Sequence, residues 1–193
     1  MSGLSLLARC GLWFGGALIL VAAMLIGIEV FLRKALVVSI GGADELAGYA
    51  LAIGTAWALA ATLLDRGHIR IDSLYILLPA ALRIVLDFVG LALLVGFFAL
   101  VFWHGLGVFV QSWVSRSRSQ SALETPLVVP QAIWLVGLAA FVVVGAALFL
   151  AALTRVLRGD RAGASALIGT RSSAEEVAEE VRAAERRLSE EPR

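Results

Sequence analysis

The sequence predicts an all-α integral membrane protein: four transmembrane helices, an interfacial segment between helices two and three, and a charged C-terminal tail that is helical or disordered. The chain is 60% hydrophobic with a mean hydropathy of +0.91, well above the roughly 45–50% apolar content of soluble domains. Charged side chains are also distributed unevenly, because 15 lie in residues 1–154 and 16 in residues 155–193. We therefore expect a membrane domain over residues 1–158 and a cytoplasmic tail over residues 159–193.

Four stretches without a charged residue are long enough to cross a bilayer, for which a helix needs about 20 mainly apolar residues. They are 19, 19, 28 and 30 residues long, and they occupy residues 10–28, 46–64, 88–115 and 125–154. With their flanking residues they predict helices at about 10–32, 45–64, 83–114 and 130–154. Pro126 and Pro130 place the start of the fourth helix near Pro130, after an extended lead-in. The first stretch exceeds the usual core of a signal peptide and no clear cleavage site follows it, so we expect it to be retained.

Basic residues near the helix ends predict the orientation in a bacterial inner membrane. On the side of the two termini lie seven, which are Arg9, Arg66, Arg70, Arg83, Arg155, Arg158 and Arg161. On the opposite side lie four, which are Arg33, Lys34, Arg116 and Arg118. The cytoplasmic side of a membrane protein usually carries the excess of such residues. Both termini are therefore expected in the cytoplasm.

Residue patterns typical of catalytic, cofactor and metal sites are missing, so we expect no catalytic residue, no cofactor and no metal. Cys10 is the only cysteine and can form neither an internal disulfide nor a metal-binding spacing. His104 lies well inside the third stretch, where an interhelical hydrogen bond is a better interpretation than haem ligation, which needs a second facing histidine. Balanced charge argues against nucleic-acid binding. No charged group lies mid-membrane, where ion-coupled transporters usually place one, so transport by this chain alone is not expected.

Small residues recur every four positions along helix two, at Gly48, Ala52, Ala56 and Ala60. Such a strip lets another helix backbone approach closely. Helix one has the same spacing at Gly11 and Gly15, and again at Ala23 and Gly27. Two interpretations of these strips remain open. They pack among the chain's own helices, or they contact another subunit.

Charged residues are densest directly after helix two, in residues 65–72. Isoleucines alternate with charged residues there, which is typical of a segment lying along the membrane surface. A metal site at His68 is conceivable, but the neighbouring arginines would repel a cation, so a charge-paired turn that joins helices two and three is favoured.

Same-face ion pairs are also expected four residues apart, between Glu29 and Arg33 and between Arg83 and Asp87. In the tail, residues 172–188 begin with a helix-capping pattern and form either a solvated tail or a docking helix.

The order of these features resembles the small membrane subunit of tripartite ATP-independent periplasmic (TRAP) transporters, the DctQ-like family. The resemblance rests on the basic pair Arg33 and Lys34 after helix one, Glu45 at the start of helix two, the Gly-His-Ile-Arg-Ile-Asp sequence of residues 67–72, and Pro79 with Arg83 before helix three. It covers about residues 10–154. The sequence of residues 67–72 is its most specific part.

This resemblance implies a partner in the same membrane, a large multi-helix subunit that carries the sodium and substrate sites. A periplasmic binding protein would deliver an organic anion, for example a C4-dicarboxylate, and the small subunit would brace the large one without catalysing anything. The residues that it assigns to structural or interface positions are Arg33, Glu45, His68, Arg70 and Asp72, to which the small-residue strip adds Gly48, Ala52 and Ala56. The alternatives are a small subunit of a tripartite tricarboxylate transporter, a membrane anchor of a redox complex and a self-sufficient exporter.

Overall fold

The computed structural model describes residues 2–66 and 78–169, together with residues 181 and 185 as isolated positions. Within these residues the chain forms five helices, which are α1 (Ser2–Ala35), α2 (Ala43–Leu64), α3 (Ala80–Ser115), α4 (Val128–Leu157) and α5 (Arg161–Ile168). The first four are long and apolar enough to cross a membrane. The predicted all-α membrane fold with four spanning helices is therefore confirmed.

The long helices extend beyond the bounds predicted for them. With 36 residues, α3 is about 54 Å long, which exceeds the roughly 30 Å hydrocarbon core of a bilayer. It must therefore tilt or project beyond the membrane surface. Pro130 is the third residue of α4, where its missing N–H breaks no hydrogen bond of the helix. Residues 67–77, with the expected interfacial segment, lie outside the described residues, as does the tail helix predicted at 172–188 except for position 181 and position 185.

The spanning helices form a row in the order α1, α2, α4 and α3. Helix α2 packs against α1 and α4, and α4 packs against α3, whereas α1 and α4 contact each other only slightly. Burial agrees with this arrangement. In the most apolar 18-residue stretch of the inner helix α4, 39% of the residues are buried inside the protein, compared with 11% in the edge helix α3. The two edge helices therefore present most of their apolar surface to the membrane or to another protein.

The two described loops between spanning helices lie together at one end of the row, which we call the loop end. Residues 36–42 connect α1 to α2 and residues 116–127 connect α3 to α4. Leu123 of the second loop lies against Gly42 of the first, whose φ of 86° suits glycine. The opposite end, which we call the α5 end, carries the C-terminus of α2, the start of α3 and the helix α5.

Helix α5 packs on the membrane helices although its residues belong to the segment predicted as a charged tail. Ala164 and Ile168 are buried and join one apolar cluster with Leu63, Leu91 and Leu148. The Arg155 guanidinium donates a 2.8 Å hydrogen bond from Nη1 to the carbonyl oxygen of Gly163. Five of the eight residues of α5 are alanine, glycine or serine, and this small face explains how a helix so short fits closely against α3 and α4.

Candidate functional site

Three glycines bring α1 and α2 into backbone contact. A methyl group on Gly15 would overlap the carbonyl oxygen of Gly54, and one on Gly11 would lie 2.8 Å from the carbonyl oxygen of Trp57. Phe14 completes the contact, because its ring meets the Trp57 ring edge to face at a centroid distance of 5.1 Å. The first pair of small residues predicted on helix one thus packs inside the chain. A Cβ at Gly27, from the second pair, would meet no atom within 4 Å.

The small-residue strip of α2 divides into an internal half and an exposed half. Ala56 and Ala60 are buried, at 2% and 3% exposure. Gly48 and Ala52 are exposed, and a Cβ at Gly48 would meet no atom within 4 Å. Ala56 and Ala60 therefore pack among the chain's own helices. The outward face of Gly48 and Ala52 is open to lipid or to another subunit.

Trp57 joins α2 to α4 within the membrane span. Its indole nitrogen Nε1 donates a 2.9 Å hydrogen bond to the carbonyl oxygen of Ile133. One turn further along α4, Gly137 packs against the backbone of α2, because a Cβ there would lie 2.7 Å from Cδ1 of Trp57 and 3.1 Å from the carbonyl carbon of Ala56. Gly137 was not among the packing residues expected from the sequence. It is one of two glycines in the apolar helix α4, and glycine is common in membrane helices.

At the loop end, Glu29 anchors the connection between α1 and α2. Its carboxylate accepts hydrogen bonds from Arg33 at 2.7 Å, from the Ser39 hydroxyl at 2.6 Å and from the backbone N–H of Ile40 at 2.8 Å. The predicted Glu29–Arg33 ion pair is therefore present. Glu29 is only 3% exposed, and three donors compensate for burying its charge.

Glu45 ties the start of α2 to the loop between α3 and α4. The Ser121 hydroxyl donates to Oε2 of the Glu45 carboxylate. Oε1 is buried without a donor among the described residues, and the hydroxyl groups of Tyr49, Ser119 and Thr125 lie nearby. The resemblance assigned Glu45 to a structural or interface position, and the geometry gives this side chain a contact 76 residues away in sequence.

The loop between α3 and α4 is held in a short hairpin by its own hydrogen bonds. Backbone N–H groups of Ser119 and Leu127 donate to the carbonyl oxygens of Thr125 and Ser117, at 2.9 and 3.1 Å. Arg118 and Pro126 face each other as an isolated antiparallel bridge. The bridge at Pro126 lies in the segment directly before α4, where Pro126 and Pro130 led us to expect extended backbone. These hydrogen bonds fix the conformation of the loop between α3 and α4.

The comparison with known families decides which class of membrane protein this fold represents. A model of the DctQ component of the tripartite ATP-independent periplasmic transporters matches residues 22–155. The chain belongs to this family. A search of curated proteins and a search of solved structures each found no match. The resemblance stated from residues 10–154 is confirmed, and the protein is the small membrane subunit of a TRAP transporter.

The family match covers the loop-end contacts of this TRAP subunit and the packing of α4 against α2 and α3. It includes α1 from residue 22 onward, all of α2 and α3, and α4 up to Arg155, whereas the α1 contacts at Gly11 and Gly15 and the whole of α5 lie outside it. The predicted site residues His68, Arg70 and Asp72 lie outside the described residues. Beside that gap, Arg83 donates from Nε to the carbonyl oxygen of Leu78 at 2.7 Å, and Asp87 is fully buried. The predicted pairing of Arg83 with Asp87 stays a prediction.

His104 of this TRAP subunit points away from the other helices. Its side chain is exposed, and it has no hydrogen-bond partner among the described residues. The predicted interhelical hydrogen bond of His104 is thus not made within the described part of the chain. The physical reason is the row arrangement, because α3 is an edge helix and only its opposite face meets α4. The described residues also hold no group of three or more His, Cys, Asp or Glu side chains that could bind a metal ion.

Proposed function

We propose that this chain is a non-catalytic brace for the large membrane subunit of a TRAP transporter in the bacterial inner membrane. The assembled transporter would use sodium to drive uptake of an organic carboxylate, for example a C4-dicarboxylate, that a periplasmic binding protein delivers. Family membership supports the transporter class, and the resemblance implies the division of labour among the three proteins. The loop end would then face the periplasm and the α5 end the cytoplasm.

The exposed polar residues of α3 are the observation that carries this proposal. Phe97, Leu100, His104, Val108 and Gln111 follow one another at spacings of three or four residues and so share one face of α3. All five are exposed. An imidazole and an amide facing lipid lack hydrogen-bond partners, and such polar groups usually face another helix in membrane proteins. We infer that this face, the His104 face, packs against the large subunit.

The contacts inside the row suit a part that stays rigid while another part moves. The backbones of α1 and α2 touch at Gly15 and Gly54, and α2 and α4 are joined by the Trp57 hydrogen bond. Such close packing has no room for sliding, because any shift would bring backbone atoms into overlap. A firm support is what a moving large subunit would require.

Substitution of His104 tests whether the His104 face contacts the large subunit. The His104→Leu variant should weaken retention of the large subunit by roughly 3- to 18-fold, since a hydrogen bond between membrane helices contributes about 0.6–1.7 kcal/mol. The isolated small subunit should melt at the same temperature or higher, because a polar group is removed from a lipid-facing surface. Val110→Leu is the matched control, since Val110 is 56% exposed and lies about 120° away around α3. Equal retention of the large subunit by both variants would contradict the proposed interface.

Reconstitution tests the division of labour. The small and large subunits should be co-expressed, purified in detergent and placed together in liposomes with the binding protein, the substrate and a sodium gradient. Uptake should require both membrane subunits. Sodium-driven uptake by the small subunit alone would refute the proposal that it is a non-catalytic brace.

A further inference from the structure

A cleft of about 370 Å³ opens at the loop end, where α3 finishes and α4 begins. It is lined by Trp113, Arg116, Ser117, Arg118, Pro126 and Val128. Helix α3 ends at Ser115, and the loop that follows forms the other wall of the cleft together with the start of α4. Its volume falls in the range of about 300–1,000 Å³ that is usual for small-molecule sites.

The cleft carries positive charge that no carboxylate of the described residues neutralises. Arg116 and Arg118 are exposed, and neither forms an ion pair with a described acidic residue. Arg118 donates from Nη1 to the backbone carbonyl oxygen of Glu124 at 3.3 Å, which orients the guanidinium without cancelling its charge. The first turn of α4, which begins beside the cleft, contains no acidic residue. Two guanidinium groups without a carboxylate partner in the described part of the chain favour an anion.

The backbone at Arg116 identifies the substitution that removes this side chain with least effect on the fold. Arg116 is the C-cap residue of α3 and has φ 51° and ψ 40°. This left-handed conformation ends many helices, and glycine is the residue that adopts it at least cost. An arginine here carries backbone strain that glycine would avoid. Val37, Arg66 and Glu124 also have positive φ, so this conformation recurs at the helix ends and loops of the chain. Glycine can replace Arg116 without opposing it.

The other walls of the cleft are apolar, which indicates what kind of anion fits. Trp113 is 65% exposed and its ring lies beside that of Phe109, at a centroid distance of 6.2 Å. Tryptophan at a helix end sits at the level of the lipid headgroups. Pro126 and Val128 add apolar surface on the α4 side. A ligand with a phosphate joined to acyl chains matches both parts of the cleft, whereas a small soluble anion matches only the arginines.

We propose that this cleft binds the headgroup of an anionic phospholipid such as phosphatidylglycerol. Arg116 and Arg118 contact the phosphate, and Trp113 and Val128 contact the glycerol and the first acyl carbons. Basic pockets beside transmembrane helices recognise anionic headgroups in this way. The proposal does not depend on which side of the membrane the loop end faces, because both leaflets contain phospholipid.

Lipid titration of the full chain tests the site. The protein, purified in detergent and stripped of lipid, is titrated with phosphatidylglycerol or phosphatidylcholine, and bound lipid is counted by native mass spectrometry. Phosphatidylglycerol should bind more tightly. Arg116→Gly and Arg118→Gln should each weaken its binding about fivefold, the usual effect of one basic residue at an anionic membrane surface. Arg116→Gly should also melt no lower than the wild-type chain, since glycine relieves the left-handed backbone, so its loss of binding would not reflect unfolding.

Lys34→Gln is the matched control, because Lys34 is exposed at the loop end but does not line the cleft. This variant should bind phosphatidylglycerol within twofold of the wild-type chain. Equal affinity for the two lipids, or wild-type affinity in Arg116→Gly, would overturn the proposal. Equally tight binding of sn-glycerol 3-phosphate would assign the cleft to a soluble phosphate instead. Unchanged lipid binding together with loss of uptake in the reconstituted complex would assign it to protein docking.

Discussion

At the residue scale, the contact between Glu45 and Ser121 holds the loop end together. Ser121→Ala removes the hydroxyl that donates to the Glu45 carboxylate and leaves this half-buried carboxylate with fewer donors. We expect the melting temperature to fall by about 2–4 °C, the usual effect of losing one hydrogen bond in a chain of this size. Thermal melting in detergent measures the change. Ser115→Ala is the control, because the exposed Ser115 hydroxyl contacts only the carbonyl oxygen of Gln111 in its own helix turn and the hydroxyl of its neighbour Ser117. The two variants melting alike would show that Ser121 has no special role.

Gly137 and Gly96 are two glycines inside spanning helices whose substitution by alanine should have opposite effects. Gly137→Ala places a methyl group 2.7 Å from Cδ1 of Trp57 and should push α4 away from α2. Overpacking of this kind costs about 1–3 kcal/mol. Gly96→Ala places its methyl group where no atom lies within 4 Å, and it should be neutral or stabilise α3 by up to about 1 kcal/mol. Chemical unfolding of the two variants in detergent compares them, and a Gly137→Ala variant as stable as Gly96→Ala would show that α2 and α4 are not in close contact there.

At the scale of elements, the existence and order of the spanning helices follow from charge spacing alone, whereas their partners do not. Runs of apolar residues report that α1 and α3 are in the membrane, because hydropathy depends on local composition. They cannot report that both are edge helices, since lipid and protein interior are equally apolar. This explains why the hydrogen bond expected of His104 is not made inside the described part of the chain, and why only half of the α2 strip faces inward. Likewise, Ser121 beside Glu45 is a contact between distant loops, which local pattern does not encode.

Helix α5 is a second case in which composition does not report packing, because the charges that follow it dominate the segment after Gly159. Its packing depends on Ala164, which is fully buried. Ala164→Glu should detach α5 from α3 and α4, because an unpaired carboxylate cannot be accommodated there. Hydrogen exchange should then show loss of protection in residues 161–168 with α4 still protected. Ala162→Glu, at an exposed position of the same helix, should keep that protection, and equal exchange in the two variants would show that α5 does not dock through Ala164.

At the scale of the whole molecule, both described loops lie at one end and α5 at the other, so a single labelling experiment determines the orientation. Basic residues predict that the α5 end is cytoplasmic. In a Cys10→Ser background, which removes the only cysteine, Val37→Cys introduces a thiol at a loop-end position that is 90% exposed. Ala162→Cys introduces one on α5. A membrane-impermeant maleimide should label the first in intact spheroplasts and the second only after permeabilisation, with no labelling of the background. The reverse pattern would place both termini and the α5 end in the periplasm.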